Sequence, residues 1–254
     1  MILAIDVGNT HIVLGCVDEK EIRNVVRMHT DREATGMEYA IRLSQMLEIS
    51  HIDGKSLESV VIASVVPVVT QSLSEAARLI TGKEPMVIAP GIKTGINVRI
   101  DDPGTLAADL LVGGVAASTL YGAPVIIVDM GTATTITLVD GKNAFRGGAI
   151  IPGVMLSLNA LSSGASLLPA ISVTAPQKVI GTNTVDCMRS GTVYANASMV
   201  DGMIDRMEEE LGSKCRVVAT GGMARMIIPL CRHEIIFDDD LMLKGLWLLY
   251  QKNK

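Results

Sequence analysis

Aromatic residues are scarce in this chain: they form 3% of its 254 residues, with one Trp, four Tyr and two Phe. Apolar residues nevertheless make up 48% of the sequence, so Val, Ile, Leu, Ala and Met must build the core. An excess of basic charge is lacking too, because the net charge at pH 7 is −5. Nucleic-acid-binding proteins generally carry a basic surface, so this composition argues against a nucleic-acid partner.

Paired cysteine motifs are also missing. Cys16, Cys187, Cys215 and Cys231 are scattered, without a CxxC pair and without a His at metal-ligand spacing. We expect buried or half-buried thiols in a reducing compartment. No basic segment precedes the short apolar run at the N-terminus, and no stretch approaches the roughly 20 apolar residues of a membrane span. The expectation is a cytoplasmic protein without a membrane partner.

Two similar segments stand about half a chain apart, at residues 3–10 and 127–134. Each is an apolar run followed by Asp, an apolar residue, Gly and short polar or small residues, and a second apolar run follows each. This pattern predicts a strand, a tight turn and a returning strand. A glycine at the turn exposes backbone N–H groups to a phosphate, and an Asp at the strand end suits a metal ion or its water. A single copy is also typical of an ordinary hairpin turn, but two copies favour a duplicated fold that grips one nucleotide.

The rest of the chain alternates strand-like and helix-like segments, which indicates an α/β fold. A continuous apolar run at residues 60–66 predicts a buried parallel strand. Residues 121–124 are the best linker signal, so we expect an N-terminal domain over residues 1–121 and a C-terminal domain over residues 122–254. This length accommodates two domains of ordinary size.

Two further features could belong to a nucleotide enzyme. Thr220, Gly221 and Gly222 follow an apolar strand and are expected to open a helix, where the glycines and the helix dipole would favour a bound ring or phosphate. Asp109 lies in an apolar helix expected over residues 106–120, where a carboxylate is costly unless it is paired, exposed or functional. Burial would raise its pKa and make it a plausible proton acceptor. The alternative is an exposed helix residue or a partner of nearby backbone.

These motifs together resemble the type III pantothenate kinase family over nearly the whole chain. Asp6 to Thr10 matches the family's first phosphate motif, residues 129–135 its second, and residues 219–222 its adenosine motif. Residues 64–67, 91–95, 147–153 and 181–185 also have the family's pattern. The resemblance implies a duplicated actin-like (ribonuclease H-like) ATPase fold, with two domains that each hold a mixed sheet flanked by helices.

The resemblance further implies an ATP-dependent enzyme that phosphorylates pantothenate to 4′-phosphopantothenate, the first step of coenzyme A biosynthesis. Its cofactors would be Mg²⁺ and a monovalent cation, K⁺ or NH₄⁺. Its partners would be pantothenate and a second copy of the chain, in a homodimer whose active site is completed across the interface. Such chemistry depends on positioning and on neutralising negative charge.

Site residues follow from the same resemblance. Asp109 would be the catalytic base, Asp6 would hold Mg²⁺ through water, and Asp129 would hold K⁺. The residues that would bind ATP and its phosphates are Asp6, Gly8, Asn9, Thr10, Gly131, Thr132, Ala133, Thr134, Thr220, Gly221 and Gly222. The substrate-binding positions would be Ile100, Ala107, Ala108, Leu110 and Thr184, the last of these across the dimer interface.

One segment departs from the family pattern. Ile100, Ala107 and Leu110 stand where the family has Tyr, Gly and Arg, and the missing guanidinium would suit pantothenate's carboxylate. Three interpretations follow: a pantothenate kinase in which Lys93, Arg99 or a partner-subunit residue supplies the charge; a kinase for a different small alcohol; or an ATP-binding protein with a regulatory role. The retained carboxylates favour the first.

Overall fold

The computed structural model describes all residues from 1 to 254. Its elements in chain order are β1 (Ile2–Val7), β2 (His11–Val17), β3 (Ile22–His29), α1 (Gly36–Ile49), β4 (Val60–Ser64), α2 (Pro67–Thr81), β5 (Met86–Val87), β6 (Asn97–Val98), α3 (Ala108–Tyr121), β7 (Val125–Met130), β8 (Ala133–Val139), β9 (Ala144–Pro152), α4 (Val154–Gly164), α5 (Thr184–Leu211), β10 (Arg216–Thr220), α6 (Ala224–Ile227), β11 (Ile236–Phe237) and α7 (Leu241–Asn253). Short 3₁₀ turns lie at Gly54–Ser56, Pro103–Thr105 and Ile228–Leu230.

The first sheet has the strand order β3-β2-β1-β4-β5. The central strand β1 pairs antiparallel with β2 and parallel with β4, so the sheet is mixed. The prediction of a buried parallel strand near residues 60–66 is confirmed, because four of the five residues of β4 are buried. Continuous burial explains why its sequence is apolar throughout rather than alternating.

The second sheet has the order β11-β10-β7-β8-β9-β6 and repeats the first. β7 pairs antiparallel with β8 and parallel with β10, as β1 does with β2 and β4. A third antiparallel strand follows in both sheets, β3 in the first and β9 in the second. The predicted α/β fold with two mixed sheets flanked by helices is therefore confirmed, and the repeated sequence segments are its corresponding hairpins.

The chain divides into two compact units. The first contains Met1–Ile96, Asp101–Ala116 and Asp240–Lys254, and the second contains Asn97–Ile100 and Ala117–Asp239. This division differs from a single boundary at residue 121, because the C-terminal helix α7 belongs to the first unit. α7 packs on that unit: a side chain added at Gly245 would meet the Val112 backbone of α3 at 2.7 Å.

Each unit has its own apolar core. In the first, the buried faces of α1 and α2 cover the sheet, and Tyr39 is the largest fully buried side chain. α1 begins with a capping box formed by Thr35 and Glu38, which fixes where the helix starts. In the second unit, α5 supplies Val193, Ala197, Val200 and Ile204 to the core. Aliphatic side chains dominate both cores, as the scarcity of aromatic residues requires.

Three local expectations need correction. The helix after Gly222, α6, begins at Ala224 and has only four residues. It ends at Ile227 because the chain continues as a 3₁₀ turn at Ile228–Leu230. α3 begins at Ala108 rather than near residue 106, because Leu106 caps the end of the preceding Pro103–Thr105 turn. Cys187 is exposed on α5, whereas Cys16 is buried and Cys215 and Cys231 are half-buried; all four thiols are free.

None of the helices combines the length and apolar character needed to cross a bilayer.

Candidate active site

The first hairpin, β1–β2, turns over Gly8, Asn9 and Thr10. Asp6 is the penultimate residue of β1, is half-buried, and pairs in register with Val13 and Ala63. The Gly8 N–H donates to the His11 carbonyl at 3.0 Å and closes the turn. This places the predicted phosphate residues at one end of the first sheet, with the Asp6 carboxylate at the base of the turn.

Residues after β3 brace this turn, and the sequence analysis missed them. The Thr30 N–H donates to the Thr10 carbonyl at 3.0 Å, and the Thr30 hydroxyl donates to the Gly8 carbonyl at 2.7 Å. Arg32 Nη2 donates to Asn9 Oδ1 at 2.9 Å. The turn is thus held by backbone and side-chain bonds from one short segment. The only signal for these contacts in the sequence is the predicted third strand. Because β3 runs antiparallel to β2, its last residues lie beside the turn between β1 and β2.

The second hairpin, β7–β8, turns over Gly131 and Thr132. Asp129 is again the penultimate residue of its strand and half-buried, in register with Thr135 and Thr220. A Cβ added at Gly131 would lie 3.6 Å from the Ala133 carbonyl, which is ordinary contact. Nothing inside the chain therefore requires glycine at position 131, whereas a phosphate approaching the backbone would.

Thr134, the second residue of β8, carries an unusual hydroxyl. The residue is completely buried, and its Oγ1 has no hydrogen-bond partner in the chain. A buried hydroxyl without a partner costs free energy. Its position two residues after the turn makes it compatible with a ligand-binding hairpin.

The segment Thr220–Gly222 lies directly against the second hairpin. Gly221 has a φ of +94°, and a Cβ there would come within 2.6 Å of Asp129 Oδ1 and of the Met130 nitrogen. The Met223 N–H donates to the Met130 carbonyl at 3.3 Å. Glycine at 221 is therefore required by the fold itself. Because α6 has only four residues, the expected contribution of a helix dipole at this segment is absent.

Asp109 is the second residue of α3 and is half-buried, rather than lying deep within a helix. Burial raises the pKa of its carboxyl group, and the Leu110 N–H, 2.8 Å from Oδ1, opposes the increase. The carboxylate therefore accepts a hydrogen bond from nearby backbone and is also desolvated. A half-buried carboxylate with a raised pKa is suited to accept a proton.

The other acceptor-side positions are apolar. Ala107, Ala108 and Leu110 are half-buried around the start of α3, and α3 contains no Lys or Arg. Ile100 lies against Gly147, with Cγ2 3.7 Å from the position of an added Cβ. None of these four side chains carries a charge.

The two cations considered as substitutes for the missing Arg have different surroundings. Lys93 is exposed, and its backbone is fixed by Asn253, which accepts from the Lys93 N–H and donates to the Lys93 carbonyl, both at 2.9 Å. Arg99 is also exposed but lines a groove of ≈ 500 Å³ with Asp140, Lys142 and Arg146. Ile100 is not part of that groove, so Arg99 does not share the surroundings of the neighbouring acceptor position.

Thr184 is the first residue of α5, after the Asn183 cap whose side chain accepts from the Asp186 N–H. It lines a groove of ≈ 660 Å³ between α4 and α5, together with Leu158, Leu161 and Met188. Exposed apolar side chains are frequent in α4 and the segment after it, including Leu156 at 52% and Leu167 at 92% exposure. Thr184 therefore belongs to an apolar surface of the second unit.

A cluster of potential metal ligands lies elsewhere in the second unit. Ligand atoms of Asp205, Glu208 and His233 lie within 4.8 Å of one another. Both carboxylate oxygens of Glu208 are engaged, one by Lys214 Nζ at 2.6 Å and one by the Cys215 N–H at 2.8 Å. The cluster is accounted for as an ion-pair network that joins the end of α5 to the following loops.

The chain is similar to known proteins in both sequence and structure. A family model described as type III pantothenate kinase matches residues 2–206. Proteins named type III pantothenate kinase from Moorella thermoacetica and Halalkalibacterium halodurans are 44% and 43% identical over 253 residues, which is 100% of this chain and of each relative. The solved structure of Acidaminococcus fermentans (R)-2-hydroxyglutaryl-CoA dehydratase component A has a TM-score of 0.59 at 17% identity, and covers 100% of this chain and 99% of that chain. This last likeness shows the fold alone.

Proposed function

The chain belongs to the type III pantothenate kinase family, and from that membership we propose how its residues divide the work of catalysis. The protein is a kinase that phosphorylates pantothenate with ATP to give 4′-phosphopantothenate, the first step of coenzyme A biosynthesis. The observation that carries this conclusion is 44% identity over the full length of both chains. It favours pantothenate over a different alcohol and over a non-catalytic role.

The two hairpins bind the phosphates of ATP in this proposal. In the first unit, Gly8, Asn9 and Thr10 surround the terminal phosphate, and Asp6 holds Mg²⁺ through water. Mg²⁺, when bound, neutralises negative charge on the phosphates. The donor set fits, because a half-buried carboxylate at a strand end matches the oxygen preference of this ion.

In the second unit, Gly131, Thr132, Ala133 and Thr134 contact the phosphates closer to the nucleoside. The open side of Gly131 and the unpartnered Thr134 hydroxyl support this assignment. Thr220, Gly221 and Gly222 contact the nucleoside, and their packing on Met130 joins them to the hairpin.

Asp129 holds a monovalent cation in this proposal. Its half-buried carboxylate lies against Gly221, where an added Cβ would come within 2.6 Å of Asp129 Oδ1, so backbone as well as a carboxylate borders the position. The expected consequence is activity in K⁺ or NH₄⁺ that falls in a buffer containing only Na⁺. Full activity in Na⁺ alone would remove this role from Asp129.

Asp109 acts as the general base. Its carboxylate accepts the proton of pantothenate's primary hydroxyl while the hydroxyl oxygen bonds to the γ-phosphorus of ATP. The bond from that phosphorus to the β,γ-bridging oxygen breaks, and its electron pair leaves with ADP. The raised pKa of Asp109 makes this carboxylate a stronger proton acceptor than an exposed Asp.

The pantothenate carboxylate needs a cation other than the family's Arg. We assign this role to Lys93, to Arg99 or to a residue of the partner subunit, because both Lys93 and Arg99 are exposed cations. If no other cation pairs with the substrate, introducing the missing charge by Leu110→Arg should lower the KM for pantothenate. An unchanged KM would mean that another cation already pairs with the substrate or that Leu110 does not face it.

We propose a homodimer formed through the apolar surface of α4 and α5. Isolated surface leucines are ordinary, but a contiguous apolar patch around a groove is typical of an interface. Thr184 lies in this groove, so it can contribute to the partner's substrate site. Leu156→Asp should shift the protein toward monomer in sedimentation and reduce activity, whereas Leu79→Asp, at a similarly exposed leucine of α2, should leave both unchanged. Four free cysteines and the identity of the substrates agree with a cytoplasmic location.

The decisive experiment is ADP release by the purified protein with Mg²⁺ and K⁺, with and without pantothenate. Pantothenate-dependent release, with phosphopantothenate identified by mass, is the expected result. Asp109→Asn should lower kcat by about 10²–10⁴-fold and leave ATP binding nearly unchanged, because it removes the base and no nucleotide contact. A strong loss of ATP binding in this variant would contradict the assignment.

A further inference from the structure

Arg32 occupies a notable position beside the first hairpin. Its guanidinium reaches the turn itself, with Nη2 2.9 Å from Asn9 Oδ1. It is exposed and forms no ion pair with any carboxylate, unlike Arg42, Arg78 and Arg146. One of its five N–H donors is used by Asn9, and the planar group can offer others to a ligand.

The backbone that carries Arg32 is firmly held. Tyr39, which is completely buried, accepts from the Asp31 N–H at 3.1 Å and donates its hydroxyl to the Asp31 carbonyl at 2.8 Å. The preceding Thr30 makes two bonds to the turn. Arg32 is therefore presented to the hairpin from a fixed base, as electrostatic catalysis requires.

The neighbouring carboxylate is already satisfied by another cation. Asp31 Oδ2 lies 3.0 Å from Arg42 Nη2, and the Arg42 guanidinium beside Asp31 lowers the pKa of its carboxyl group. Asp31 thus stays ionised and paired with Arg42. This arrangement keeps the adjacent acid from neutralising Arg32 and leaves the Arg32 charge for an anion at the turn.

We propose that Arg32 contacts the γ-phosphoryl group of ATP and stabilises its charge during transfer. The inference rests on the proposed function, in which the first hairpin binds the terminal phosphate. The chemistry selects the γ-phosphoryl group, because the base Asp109 belongs to the same unit, whereas the second hairpin is joined to the nucleoside segment Thr220–Gly222. The γ-phosphorus bonds to the pantothenate oxygen and ADP is released. During this step the Arg32 guanidinium stabilises the negative charge on the non-bridging oxygens of the phosphoryl group. Arg32 keeps all its protons.

Two variants and a matched control test this proposal. Arg32→Ala removes the charge, Arg32→Lys keeps a charge without the planar fork, and Arg23→Ala removes an exposed Arg near the start of β3, opposite Cys16 and away from the turn. The measurements are kcat with saturating pantothenate and the Kd values for ATP and for ADP by calorimetry in Mg²⁺. Arg32→Ala should lower kcat by roughly 10²–10³-fold. It should weaken ATP binding without changing ADP binding, because ADP lacks the γ-phosphoryl group.

Added guanidinium ion should restore part of the activity of Arg32→Ala, and Arg23→Ala should behave like the wild type. The proposal fails if kcat of Arg32→Ala stays within about twofold of the wild type, or if its ATP and ADP affinities fall equally together with its thermal stability. The second result would make Arg32 a structural brace for Asn9. A wild-type protein without pantothenate-dependent ADP release would overturn the proposed function, and the comparison of ATP and ADP affinities would still decide whether Arg32 contacts the γ-phosphoryl group.

Discussion

The two hairpins of the duplicated fold have the same topology and different supports. The first turns over three residues and is held by Thr30 and Arg32, which follow the third strand of its sheet. The second turns over two residues and is held by close backbone packing: the Gly153 N–H donates to the Thr132 carbonyl, and Gly221 lies against Asp129. Each keeps an Asp at the penultimate strand position and a Gly at the turn. The repeated motif fixes the scaffold, and under the proposed function the neighbours of each turn determine which part of ATP it contacts.

The difference has a chemical meaning. Side chains that brace the first turn include a cation, so this turn can stabilise charge that develops during transfer. Glycine and backbone contacts predominate around the second turn, so under the proposed function this hairpin can bind closely the part of ATP that leaves as ADP. Under the proposed function, the first hairpin contacts the γ-phosphoryl group that is transferred, and the second contacts the part of ATP that leaves as ADP.

The largest expected effect separates the two carboxylates. Asp6→Asn should raise the Mg²⁺ concentration needed for activity and lower kcat by roughly 100-fold, because it weakens the charge that organises Mg²⁺. Asp129→Asn should leave the Mg²⁺ requirement unchanged and raise the K⁺ requirement. Initial rates in parallel titrations of the two cations would measure both. If the two variants respond identically, the hairpins are not specialised by ion.

The pH dependence distinguishes both hairpin carboxylates from the base. Because burial raises the pKa of Asp109, the acid limb of kcat/KM should lie above the ordinary Asp value of about 3.9, and activity should fall as pH decreases through it. Asp6→Asn and Asp129→Asn should reduce the rate but keep the position of this limb. A limb that moves in either hairpin variant would assign it to that hairpin instead.

The same pKa shift affects stability with a definite sign. A carboxyl group whose pKa is raised by burial disfavours the folded state when it is charged at neutral pH. Asp109→Asn should therefore raise the Tm at pH 7 although it lowers kcat, and the gain should shrink as the pH falls below the range in which Asp109 ionises. Thermal unfolding of the wild type and of Asp109→Asn across pH would show whether the charged Asp109 carboxylate lowers the stability of the folded protein.

Two glycines separate the fold from ligand binding in the second unit. Gly221→Ala should lower the free energy of unfolding by about 1–3 kcal/mol, because φ is +94° and a Cβ would meet Asp129 and Met130. Gly131→Ala should leave stability nearly unchanged, since its Cβ would find only ordinary contacts, but should weaken ATP binding. Urea unfolding and calorimetry would measure the two effects. Unaltered ATP affinity in Gly131→Ala would remove the phosphate role from this turn.

The smallest expected effect compares two buried threonines. Thr30→Val loses the 2.7 Å bond to the Gly8 carbonyl and should cost about 1–2 kcal/mol of unfolding free energy. Thr134→Val loses a hydroxyl that has no partner in the chain, so the protein without ligand should be as stable or more stable. If ATP stabilises the wild type more than Thr134→Val in thermal unfolding, the hydroxyl serves the ligand. Equal stabilisation would make Thr134 irrelevant to nucleotide binding.

Much of the fold could be predicted because it depends on local patterns. The buried run at β4 and the repeated Asp-Gly segments specify parallel and hairpin strands through burial and turn chemistry alone. The length of α6 could not be predicted, because the Ile228–Leu230 turn competes for the same segment. The membership of α7 in the first unit could not be predicted either, since it depends on packing between residues far apart in the chain.

The duplicated α/β scaffold, the aliphatic cores and the placement of Asp6 and Asp129 at strand ends follow from the periodicity, composition and short motifs of the sequence. The neighbours of those positions depend on the tertiary structure. Arg32 reaches the first turn because an antiparallel third strand returns to it, and Gly221 is required because β10 lies parallel to β7 and brings it against Asp129. Such neighbours arise from strand pairing across long sequence separations, which local sequence patterns do not encode.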